Sequence, residues 1–171
     1  MKPLFAVADV LTAVRFPLAV LFPLAASPAW QLAIITAAAI TDVADGIVAR
    51  RLGSSRAGAV LDPIADKAFM ITAFVTIARR GLLAWYELVG VLLRDLLAVL
   101  GFLATWLLRR PVAVPARAGG KAVTIAQVLT LVAVIAESPH ARELAWATAA
   151  ISVYALWDYG RTAARKVEGR I

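Results

Sequence analysis

The sequence has no cysteine and a single histidine, His140. Without thiols, disulfides, iron–sulfur clusters and thiolate zinc sites are excluded. One imidazole cannot build a His-rich metal centre, so any metal must be held by oxygens, which favours Mg²⁺, Mn²⁺ or Ca²⁺. Charge is scarce as well: 17% of the 171 residues are Asp, Glu, Lys or Arg, against about 25% in soluble domains. Hydrophobic residues make up 62% of the chain and mean hydropathy is +0.82. That balance argues against disorder and rules out an ordinary water-soluble globule.

What is present is a series of long apolar runs. A bilayer span takes roughly 20 residues, so the chain has room for six. The runs place them at about 4–26, 30–49, 62–78, 83–107, 121–137 and 142–160. Turn residues mark the breaks: Ser27-Pro28, Gly53-Ser54-Ser55, Gly81, Pro111 to Gly120, and Ser138-Pro139. The expected fold is all-α, a polytopic membrane protein with six transmembrane helices in a single domain over 1–171, with no soluble linker and no repeat. The N-terminus does not read as a cleavable signal, because its apolar stretch runs past the usual length of one.

The net charge of +7 fits the positive-inside rule and attraction to anionic headgroups, not nucleic acid. Twelve of the 18 basic residues, among them Lys2, Arg50, Arg51, Arg56, Arg109, Arg110, Arg117 and Lys121, fall at one set of span ends and in the tail. Arg79, Arg80 and Arg142 fall at the other. Both termini are therefore expected on the cytoplasmic side, with membrane lipids as surroundings.

Charges inside spans cost several kcal/mol on insertion scales and face a polar interior with a function. Asp42 and Asp45 close the second span, and Asp62 and Asp66 open the third. Positions 42, 45, 46 and 49 follow i, i+3, i+4, i+7 and share a helix face. Positions 58, 62 and 66 share another, with Pro63 expected to start or kink that helix. The link between them is short, so the two helices should be antiparallel neighbours whose acidic faces meet at the membrane border. Four carboxylates together repel unless a cation neutralises them, and oxygen ligands suit Mg²⁺ or Mn²⁺, with two ions about 3.5–4 Å apart as one arrangement. Gly46, Ala49 and Gly58 add no bulk to these faces, and Arg50 offers a bidentate phosphate donor. Metal, small residues and Arg together describe a diphosphate site at the membrane surface. Taken singly, an Asp near a helix end is as readily a cap, and a Gly a packing residue.

The segment Asp42-x-x-Asp45-Gly46-x-x-Ala49-Arg50, seven residues, then Gly58-x-x-x-Asp62-x-x-x-Asp66 resembles the signature of the CDP-alcohol phosphatidyltransferases. It departs from that signature only in having seven residues, not about eight, before Gly58. The resemblance implies a six-helix membrane enzyme, usually a homodimer, that transfers a phosphatidyl group from CDP-diacylglycerol to an alcohol and releases CMP. It implies that Asp42, Asp45 and Asp62 bind divalent metal. It further implies that Asp66 completes that set and acts as general base, that Gly46, Ala49 and Gly58 make room for the nucleotide, and that Arg50 holds the diphosphate.

The acceptor is less decided by sequence. Arg15 and Arg94 lie within spans, and Arg117 and Lys121 lie before span five. Basic groups around a metal-bound diphosphate point to an anionic acceptor, with Arg94, Arg117 and Lys121 as candidate contacts. The plain alternatives are pairing of Arg94 with Asp95 and positive-inside loop charge for the other two. Gly120-Lys121-x-Val123-Thr124-x-x-Gln127 and Leu11-Thr12-x-x-Arg15 look like segments of the phosphatidylglycerophosphate synthases within the family, although Val123 replaces a Lys and Asp9 stands where Asn is common. Glycerol-3-phosphate is thus the expected acceptor, with an inositol phosphate or phosphatidylglycerol as alternatives. A cation- or proton-coupled transporter is the rival of another class. It would place its carboxylates nearer mid-membrane, with internal repeats or broken helices.

Overall fold

The computed structural model describes residues 7–52, 55, 58–107 and 118–168. Among these residues the chain forms helices and no strand: α1 (Val7–Ala13), α2 (Arg15–Leu24), α3 (Pro28–Leu52), α4 (Gly58–Arg79), α5 (Trp85–Leu107), α6 (Ala118–Ile135) and α7 (Ala141–Glu168). The all-α expectation holds. The first expected span is two segments, divided at Val14. Pro17 has no N–H to give Ala13, which weakens the ladder there, while Val14 and Leu18 still bond back four residues, to Val10 and Val14. Pro63 does not start its helix: α4 begins four residues before Asp62 and carries the proline inside it. By length and composition, Pro28–Arg51 is the one helix among the described residues long and apolar enough to cross a membrane, and Gly120–Ile135 is a shorter apolar helix.

The chain divides into two compact units, Met1–Arg80 and Gly81–Ile171. In the first, α1 and α2 pack on both α3 and α4. These N-terminal helices, and not each other, are the main partners of α3 and α4 among the described residues. The expected direct pairing of α3 with α4 is thus replaced by packing through the N-terminal arm. The core is built at four-residue spacing along α4, with Ala65, Phe69, Ala73 and Ile77 buried, and Phe22 of α2 meeting Phe69 edge-on at 6.1 Å. Alanines at 65 and 73 let helix backbones approach closely. At the other end of α4, Arg80 donates to the carbonyls of Pro23 and Ala25 (3.0 and 2.9 Å), closing the C-terminus of α2, as a cation does best.

In the second unit α7 packs on both α5 and α6. A Cβ on Gly90 would lie 3.0 Å from that of Ala149, so α5 and α7 touch closely there. The fully buried Asp95 accepts a 2.7 Å bond from Gln127, which also donates to the Val91 carbonyl at 3.0 Å. Thr130 and Thr148 share a 2.9 Å bond between α6 and α7. Helix α6 ends with Ser138 N–H bonded to Ala133 and Glu137 N–H to Val134, with Glu137 at φ +53°, the closing pattern in which Gly is usual. Trp30, Trp85, Tyr86 and Trp157 are exposed.

Candidate functional site

The site grows from the four helices of the first unit. Asp42 and Asp45 lie one turn apart near the end of α3, and Asp62 lies in the second turn of α4. Helical spacing turns each toward the N-terminal arm. One carboxylate oxygen from each of the three lies within 4.8 Å of the others, so the set could hold a metal ion. Asp45 is buried, with 7% of its side chain exposed, whereas Asp42 and Asp62 stand open at 57% and 51%. The interior wall of the cluster is therefore fixed and its mouth is accessible.

Arg15 holds the three acids together. It is 1% exposed, and its guanidinium reaches Asp42 Oδ1 and Asp62 Oδ1 at 3.1 Å each and also pairs with Asp45. Thr12, one turn earlier, donates to Asp45 at 3.1 Å and lies 3.5 Å from Asp62. Arg15 was visible in the sequence as a charge within a span, and Thr12 as part of Leu-Thr-x-x-Arg. Their place against the carboxylates was not read there, because it depends on the arm packing on both α3 and α4.

A second set of contacts fixes the link between the halves of the site. Ser55 is buried; it donates to Asp9 at 2.6 Å and accepts the Gly58 N–H at 2.7 Å, capping α4. A Cβ on Gly58 would collide with the Asp9 carboxylate. Gly58 is thus demanded by the close approach of α1 as well as placed on the acidic face. Ser55 was missed by sequence reasoning, although a serine at a turn just ahead of a helical run is a capping signal, its hydroxyl taking the N–H two or three residues on.

The remaining expected residues are placed as follows. Asp66 is half-buried on α4, one turn beyond Asp62, and does not belong to the close triad. Gly46 and Ala49 are half-buried and Arg50 is exposed. The Arg50 guanidinium runs back along α3, 3.5 Å from where a Gly46 Cβ would stand, so the lack of a side chain at 46 leaves room beside it. Arg94 belongs to the second unit and pairs with Asp95 at 3.2 Å, the plain alternative weighed for it. Lys121 is exposed on α6. Arg117 lies outside the described residues.

Chemically, an oxygen-only set with two open carboxylates fits a hard divalent cation. Comparison with known proteins bears on what such a site does. A family model described as CDP-alcohol phosphatidyltransferase matches residues 5–157. A Yersinia pestis protein named CDP-diacylglycerol–glycerol-3-phosphate 3-phosphatidyltransferase is 30% identical over 152 residues, covering 84% of each chain. A Blochmanniella floridana protein of the same name is 40% identical over 79 residues, 44% of this chain and 42% of its own. A Mycobacterium tuberculosis protein provisionally named a cardiolipin synthase is 38% identical over 96 residues, 56% of this chain and 46% of the relative. The match thus spans about half the length of that mycobacterial relative.

Proposed function

Since the chain belongs to the CDP-alcohol phosphatidyltransferase family, we propose that it transfers a phosphatidyl group from CDP-diacylglycerol to glycerol-3-phosphate and releases CMP. The observation that carries this reading is the gathering of Asp42, Asp45 and Asp62 from two helices into one cluster. The likeness to the Yersinia transferase over 84% of each chain supports the acceptor. We read the chain as one multi-pass domain with six spans in the cytoplasmic membrane, both termini cytoplasmic, working as a homodimer. The family model runs through both compact units, which supports the single domain.

In this reading Asp42, Asp45 and Asp62, with Asp66 beside them, hold Mg²⁺ or Mn²⁺, as one or two ions. Such ions neutralise a diphosphate and ease departure of a phosphate leaving group. The chain's own groups do the rest. Arg50 binds the diphosphate, and Gly46, Ala49 and Gly58 leave room for the nucleotide. Asp66 takes the proton of the acceptor's primary hydroxyl as its oxygen bonds to the phosphorus carrying the diacylglycerol. The bond from that phosphorus to the CMP oxygen breaks, and CMP leaves with the electron pair. Arg94, Arg117 and Lys121 are the proposed contacts for the acceptor phosphate.

The test is CMP release by purified protein given CDP-diacylglycerol and Mg²⁺ with glycerol-3-phosphate, inositol-1-phosphate, inositol, serine or phosphatidylglycerol. Release that requires glycerol-3-phosphate is expected. Release that requires phosphatidylglycerol would favour the second reading, for which the mycobacterial relative speaks. No release with any acceptor, from folded protein, would overturn the activity.

A further inference from the structure

Arg15 occupies the centre of a site whose proposed occupant is a divalent cation. Its two terminal nitrogens are spent on Asp42, Asp45 and Asp62, the same three residues that form the candidate metal set. Its Nε is buried without a protein partner. A guanidinium has five N–H donors in a fixed fork. Leaving one orphaned in the interior costs free energy. The approaches also differ: Arg15 comes from the buried side, while Asp42 and Asp62 are half open to solvent on the other.

We propose that Arg15 is the resident counter-cation of the acidic site and that it competes with the divalent ion for Asp42, Asp45 and Asp62. Carboxylate lone pairs committed to a guanidinium are not available to a metal, and a metal dication within a few ångströms of the guanidinium repels it. Occupation by one therefore weakens the hold of the other. In the absence of metal the arginine keeps three carboxylates from repelling each other. In its presence the guanidinium gives up those oxygens and becomes a free cation beside the metal, suited to an anionic oxygen. The inference rests on the proposed metal role of these carboxylates and assigns Arg15 as a positioning residue for that same site.

The experiment is a Mn²⁺ titration followed by electron paramagnetic resonance, with no substrate, on the wild-type protein, Arg15→Lys and Arg15→Gln. Thermal unfolding with and without Mn²⁺ accompanies it. A charged hydrogen-bonded contact is worth enough that Arg15→Gln is expected to bind Mn²⁺ about tenfold more tightly than wild type, with Arg15→Lys between them. Arg15→Gln should also lose unfolding temperature in chelator and regain more of it with Mn²⁺ than wild type does. If Arg15→Gln folds only with Mn²⁺ present, that dependence supports the exchange, and Arg15→Lys supplies the affinity comparison. If wild type binds Mn²⁺ and the variants bind it equally or more weakly, the competition is overturned while the metal site stands. If neither wild type nor variant binds Mn²⁺, both fall.

Discussion

The first unit sets three carboxylates and a guanidinium at the end of its helices, two of the acids half open. The second unit buries Asp95 against an amide and an arginine, and joins two threonine hydroxyls between α6 and α7. In the second unit short polar bonds hold helices together, as polar residues do between apolar helices. In the first, the charge exceeds what packing needs. Three acids share one arginine, so the set holds more negative than positive groups. Excess charge of one sign with an accessible mouth marks a place for a cation.

Substitutions break this contrast in order of expected size. Asp66→Asn should lower CMP release by about 10²–10⁴-fold, the worth of a general base, while CDP binding measured by calorimetry persists. Activity near wild type would remove Asp66 from the proton transfer. Gly58→Ala follows, because its methyl must displace Asp9 and with it Ser55. A cost of about 1–3 kcal/mol is expected, as for an overpacked core, read as a lower unfolding temperature together with weaker CMP release. Thr148→Val in the second unit removes the bond to Thr130. It should cost about 1 kcal/mol and leave CMP release per folded molecule unchanged; a lost activity would mean the second unit's polar bonds are not merely structural. Smallest is Glu137→Gly, at the positive φ that closes α6. It should raise stability by up to about 1 kcal/mol with no change in turnover.

Much of the first unit's acid cluster was legible in the sequence, for a physical reason. Residues 42, 45, 46 and 49 share a face whatever the helix packs against, and charge in an apolar run has few structural uses. Helix positions followed from apolar runs and turn residues in the same way. What could not be read was which element stands between α3 and α4. A short link predicts neighbours, but the N-terminal arm takes that place, and only its packing brings Arg15 and Thr12 to the carboxylates. The Asp9–Ser55–Gly58 contact is hidden likewise, since it joins residues 46 apart. Arg94 was legible in part. Its pairing with the neighbouring Asp95 is a bond that chain adjacency alone made available, and it was weighed in the sequence beside the acceptor contact.

The most direct measurement is an anomalous difference map from crystals grown with Mn²⁺ and CDP. The account predicts a Mn²⁺ peak bonded to Asp42, Asp45 and Asp62, with the Arg15 guanidinium moved off those carboxylates. A map with no peak there, and Arg15 still holding all three acids, would contradict it.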